Sequence, residues 1–196
     1  MSETFVFFGI VGSGKGTQVK LLMDFLKKRD GKECVYVGTG EIFRKIMASS
    51  ENTEDTRIVR DILHSGKLMP DIETNKLVAN AVKSDWVPSK HMLFDGYPRT
   101  VNQSEFFEEM VKAYKIENIK IIYIEVGKEE AMKRNLLRGR HDDTPEGLNK
   151  RFDEYIKNVV PSMNYFKDKA GYKIYTINGE QTVENVHKDI IKSLEF

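Results

Sequence analysis

Five stretches of the chain carry apolar residues with little alternation: Phe5 to Phe8, Cys34 to Val37, Met92 to Phe94, Ile119 to Val126 and Tyr172 to Ile177. Short apolar runs of this kind predict strands covered on both faces. Between them the spacing becomes helical. Leu21, Leu22, Phe25 and Leu26 share one face, and Asp30-Gly31 ends that pattern. Pro145 suits a first helical position after a Thr144 cap, and Leu148, Phe152, Tyr155, Ile156 and Val159 then mark another buried face. Alternating strands and helices predict an α/β fold with a five-stranded parallel sheet flanked by helices, its strand ends gathered on one side. Open sheets of this class bind ligands at that side. Two gaps are longer or more polar than a crossover. Residues 41–90 break at Ser49 to Asn52, at Ser65-Gly66 and at Pro70, and read as three helices in a lobe outside the sheet. Residues 138–144 read as a short charged loop.

The first apolar run leads into G-x-x-G-x-G-K-G-T, spanning Gly9 to Thr17, and then into a helical pattern. Strand, glycine-rich turn and helix are the context a phosphate-binding P-loop needs. Gly9, Gly12, Gly14 and Gly16 allow positive φ and close approach, so successive backbone N–H groups can point into one concavity, and the helix dipole adds to them. Lys15 supplies a cation for the β- and γ-phosphates of a nucleoside triphosphate, and Thr17 a hydroxyl near its metal. Gly16 stands where the general motif has Ser or Thr, with Thr17 one place later.

Composition narrows the partners. The chain has 196 residues, 40% of them hydrophobic, enough for the core of one compact domain. A net charge of +1 gives no field to favour nucleic acid or an acidic membrane. Cys34 is the only cysteine, which leaves no disulfide framework and no cysteine-rich metal site. No stretch approaches the roughly 20 apolar residues of a membrane span, and Ser2-Glu3-Thr4 lead straight into the first strand. These features predict a soluble, cytoplasmic protein. His64, His91, His141 and His187 show no ligand spacing, and none is expected to be catalytic.

Four further segments carry candidate chemistry. In Phe94 to Thr100, Asp95 ends a strand and is placed to hold water or Mg²⁺ beside the phosphates. Gly96 and Tyr97 turn the chain, Pro98 stiffens it, and Arg99 points across the cleft. Thr39 and Arg44 follow the second strand, and a planar guanidinium suits phosphate oxygens. Gln103 can donate and accept in a fork, which matches an adenine edge. Arg134 and Arg138 share a helix face at i, i+4, followed by Arg140, Asp142-Asp143 and Arg151.

Taken together, G-K-G-T, T-G-E-I-F-R, D-G-Y-P-R-T and R-G-R-x-D-D resemble the adenylate kinases, from Phe5 to about Val183. The resemblance implies transfer of the γ-phosphoryl of Mg-ATP to AMP by a monomer. It divides the chain into a core (1–40, 91–133 and 152–196), a monophosphate-binding lobe (41–90) and a short lid (134–151). Lys15, Arg99, Arg140 and Arg151 would then be catalytic. Gly12, Ser13, Gly14, Lys15, Gly16, Thr17, Arg134, Arg138 and Gln181 would bind ATP. Thr39, Arg44, Lys67, Leu68, Met69, Gly96 to Arg99, Gln103, Arg140 and Arg151 would bind AMP. Asp95 and Thr17 would serve Mg²⁺, and the brevity of the lid resembles the form without zinc. Gly38 stands where the family often has serine, and Lys15 to Thr39 is longer than in short adenylate kinases. A kinase for UMP, CMP or another monophosphate, and a nucleotide sensor without transfer activity, stay open as alternatives.

Overall fold

A computed structural model describes residues 2–50, 53–64, 69–138 and 144–196. Its sheet has five parallel strands in the order β2-β3-β1-β4-β5. They are β1 (Thr4–Phe8), β2 (Cys34–Gly38), β3 (His91–Asp95), β4 (Ile119–Glu125) and β5 (Tyr172–Asn178). Each expected strand is present within a residue or so of its apolar run. The glycine-rich loop therefore leaves the middle strand, flanked by the ends of β3 and β4.

Strand alternation sorts the core into two layers. Val6, Phe8, Val37 and Phe94 face one side, where Val78, Val82, Phe107 and Phe166 cover them. Phe5, Phe7, Leu93 and Ile122 face the other, under Leu22, Leu26, Val186 and Ile190. The covering helices are α1 (Lys15–Asp30) and α9 (Val183–Ser193) on the second side, with α4 (Asp71–Asp85), α5 (Val101–Ala113) and α8 (Val160–Asn164) on the first. Each fully buried Phe or Leu contributes about 1.5–3 kcal/mol. As expected, α1 closes at Gly31, whose N–H reaches Lys27 O at 2.9 Å.

Three expectations need correction. Between β2 and β3 lie three helices, α2 (Thr39–Ala48), α3 (Glu54–His64) and α4, but α4 is not outside the sheet. Its Val78 and Val82 are fully buried in the core. Secondly, β5 is an edge strand in which only Ile177 is buried, so its apolar run did not mean cover on both faces. Thirdly, the helix beginning at Pro145 is not one regular cylinder. After α7 (Pro145–Glu154) the chain makes a π turn over Tyr155–Val159 before α8. Pro161 has no N–H to give Lys157 O and its ring crowds that carbonyl, which accounts for the widened turn. The register shifts, and Ile156, expected on the buried face, is 51% exposed. Among the described residues the helix α6 (Lys128–Arg138) completes the set.

Candidate active site

Parallel strands bring the ends of β1, β2, β3 and β5 to one edge, where the loop residues 12–17, Thr39, residues 95–103 and Gln181 lie, while Arg44 stands on α2, Arg134 and Arg138 on α6 and Arg151 on α7. The loop after β1 wraps the start of α1. Gly14 caps that helix at φ 89° and ψ 8°, a left-handed conformation that costs glycine little. Its carbonyl accepts from the N–H groups of Thr17 at 3.0 Å and Gln18 at 3.1 Å. Lys15 folds back over its own loop, its Nζ donating to Gly9 O at 2.6 Å and Ile10 O at 2.9 Å. It keeps a window to solvent, yet desolvation pushes its ammonium down to about 8. Asp95 pulls the other way, while the charges of Arg99 and Arg138 add to the depression. Lys15, Asp95, Arg99 and Arg138 thus stand within electrostatic reach of one another.

A side chain not foreseen in the sequence shapes this loop. Asn135, buried on α6, donates to Val11 O at 2.9 Å and Ala131 O at 2.7 Å. Gly12 has φ 88°, and a Cβ there would run into Asn135 Nδ2. An amide in mid-helix between Arg134 and Arg138 was the only signal. Gln18 is a second case, buried, its Nε2 donating to Val183 O at 2.9 Å.

At the end of β3, the Asp95 carboxylate lies beside the first turn of α1, where a Cβ on Gly16 would stand 3.7 Å from its Oδ2. Tyr36 donates its phenol to the same oxygen at 3.2 Å. Burial, then the Asp95 charge, push that phenol above its ordinary range, so it stays a donor. The ring lies across Gly38 so closely that a Cβ there would collide with it. Glycine in place of serine at 38 thus has a steric reason: Tyr36 occupies the space.

The turn after β3 gathers the acceptor-side candidates. Gly96 O accepts from Thr39 Oγ1 at 2.8 Å and from Arg99 Nε at 2.7 Å. Tyr97 and Pro98, joined by a cis peptide bond, are buried, and Tyr97 donates its hydroxyl to Asn75 Oδ1 at 2.6 Å. Arg44 is exposed on α2, near enough for its charge to act on Tyr36. Gln103 is 3% exposed, less open than expected of a residue that reads a base. Its Oε1 accepts from Arg99 N–H and its Nε2 donates to Asp71 Oδ1, both at 2.8 Å. Met69, half-buried, precedes α4.

On the other flank, Arg134 donates from Nη1 to Gly179 O at 2.9 Å and from Nε to Glu130 at 2.7 Å, which ties α6 to the loop after β5. In that loop Gln181 spends its amide on Asn178 O at 3.0 Å and Asp189 at 2.8 Å. Arg151 is half-buried on α7, whose Thr144 cap accepts from Gly147 N–H at 3.1 Å, as the sequence predicts. Lys67, Leu68, Arg140, Asp142 and Asp143 lie outside the described residues.

A sheet of this order, with a glycine-rich loop and its lysine at the end of the middle strand, makes this a P-loop nucleotide-binding protein. Comparison with known proteins narrows the class. The adenylate kinase family model matches residues 7–171. Adenylate kinase of Leuconostoc mesenteroides is 34% identical over 100% of this chain and 98% of its own. That of Prochlorococcus marinus is 32% identical over 97% of each chain. That of Oenococcus oeni is 30% identical over 98% of this chain and 97% of its own. The chain belongs to the adenylate kinase family.

Proposed function

We propose that this protein moves the γ-phosphoryl of Mg-bound ATP reversibly to AMP, giving two ADP. The observation that carries the reading is the convergence of Lys15, Asp95, Thr39 and Arg99 at adjoining strand ends, beside one glycine-rich loop. Phosphoryl transfer asks a protein for position and charge, and the acceptor phosphate is already anionic. Lys15 would leave its loop carbonyls for the β- and γ-phosphates of ATP, joined by backbone N–H groups of Gly12 to Thr17. Arg134 and Arg138 would hold the ATP end, and Gln181 the loop near its base. Arg99 and Arg44 would grip the AMP phosphate, with Arg140 and Arg151 spanning the two phosphate chains. Thr39, Met69, Lys67, Leu68 and Gln103 would seat the AMP nucleoside.

The donor set fits magnesium. Among the described residues no cluster of three or more acidic, His or Cys side chains could hold a metal alone. Mg²⁺ in kinases keeps several waters and binds one or two protein oxygens plus substrate phosphates, a role Asp95 and Thr17 suit. Bound there, it would neutralise charge on the transferring group. No helix among the described residues is long and apolar enough to cross a membrane. The family membership supports a cytoplasmic monomer, and a net charge of +1 supports work on free nucleotides rather than on nucleic acid or an acidic membrane.

The test supplies Mg·ATP with AMP, CMP, UMP, GMP or dTMP and follows diphosphate formation, with Lys15→Met controlling for contaminating kinase. ADP made rapidly with AMP, and not by the variant, supports the reading. Preference for a pyrimidine monophosphate would overturn the acceptor, and ATP binding without any transfer would overturn the reaction.

A further inference from the structure

A glutamine amide fits its pocket in two orientations of almost identical shape, which differ in the end that donates. At Gln103 both neighbours are one-sided. The Arg99 peptide N–H can only donate, and it meets Oε1 at 2.8 Å. The Asp71 carboxylate can only accept, and it meets Nε2 at 2.8 Å. Turning the amide over would set NH₂ against N–H and carbonyl oxygen against carboxylate in a site 3% exposed. Asp71 is itself held in place. Its Oδ2 accepts from Thr100 Oγ1 at 2.8 Å, and Thr100 Oγ1 accepts from Gln103 N–H at 3.1 Å. One helical turn along α4, Asn75 anchors Tyr97 in the same way.

These bonds use one of the two lone pairs on Oε1 and one of the two protons on Nε2. One acceptor and one donor remain, side by side and in fixed order. Adenine and guanine present opposite orders along the shared edge of the ring. Adenine has an amino donor at position 6 and an acceptor at N1, whereas guanine has a carbonyl at 6 and an N–H at 1. Reading one with the order set for the other leaves two like groups face to face. We propose that Asp71, with the Arg99 N–H, fixes the direction of the Gln103 amide and so makes the acceptor site select adenine over guanine. Asp71 is then a positioning residue that sets base specificity without touching the base. The proposal rests on the acceptor role given to Gln103 above.

The test measures kcat/KM for AMP and for GMP in the wild type and in Asp71→Asn. Asparagine has the same shape but can offer Gln103 either a donor or an acceptor, so the Asp71 half of the lock opens and only the Arg99 N–H still favours one direction of the amide. The AMP-over-GMP preference should fall by about tenfold or more, with the KM for ATP unchanged. A purely structural role would lower both acceptors by one factor. That result overturns the proposal and leaves the acceptor reading intact. A wild type with no preference for AMP overturns both. A second measurement needs no variant. In ¹⁵N-labelled protein, one Nε2 proton of Gln103 should exchange with solvent at least about tenfold more slowly than exposed glutamine amides. Rapid exchange of both protons overturns the lock.

Discussion

The two halves of the site satisfy their polar groups in opposite ways. Around the donor loop, the contacts are ones that a phosphate would have to displace on the function proposed above: Lys15 donates to Gly9 O and Ile10 O. On the acceptor side, the Thr39, Asp71, Thr100 and Gln103 contacts join side chains to the turn after β3, and a nucleotide can leave them standing. The difference teaches where each half meets its cost. On that proposal the donor half would exchange bonds on binding, and its lysine is desolvated beforehand. The acceptor half has its groups ordered by the fold and would bind with less rearrangement.

The strongest way to break this comparison is Lys15→Met. Transfer should fall on the order of 10³-fold or more, while AMP binding measured by calorimetry stays put. Equal losses on both sides would show the halves to be one unit. Next in size is Gly12→Ala, which sets a methyl group against Asn135 on a left-handed backbone. Unfolding in urea should show a loss of about 3 kcal/mol. Adding Asn135→Ala should recover part of it. Thr39→Val should raise the KM for AMP about tenfold and leave the KM for ATP alone. The smallest effect is in pH. Desolvation holds the Lys15 ammonium down at about 8 in the free protein, and bound phosphates would raise it again. ATP binding should therefore take up a proton above pH 8 and weaken roughly fourfold between pH 7 and 8.5. Calorimetry in buffers of different ionisation enthalpy reads that uptake directly. AMP binding should show no such uptake.

Much of this was legible in the residues. Apolar runs located all five strands: the central ones are buried and have no polar face to confuse the pattern, while the edge strand β5 still carries Tyr172, Ile174, Tyr175 and Ile177 although only Ile177 is buried. The loop was legible because its glycines and Lys15 hold fixed offsets. What stayed hidden depends on distance in sequence. Nothing around Asp71 or Asn135 announces a partner, since Gln103 lies 32 positions from the first and Val11 lies 124 from the second. Ile156 misled for a local reason: Pro161, five places on, changed the helical period that a regular pattern assumes. Gly38 looked like a departure until Tyr36, two places back on the same strand face, was seen to fill the space.

Gly12 and Asn135 stand far apart in the chain, yet the Asn135 amide and the Ala131 carbonyl together occupy the space that a side chain at 12 would need. That makes them a single heritable unit. Recombination between this chain and a relative, with a crossover anywhere from 13 to 134, would separate the pair. If the incoming partner brings a side chain at position 12, it meets an amide that has no room for it. Chimeras that carry both positions from one parent should be recovered folded more often than those that split them.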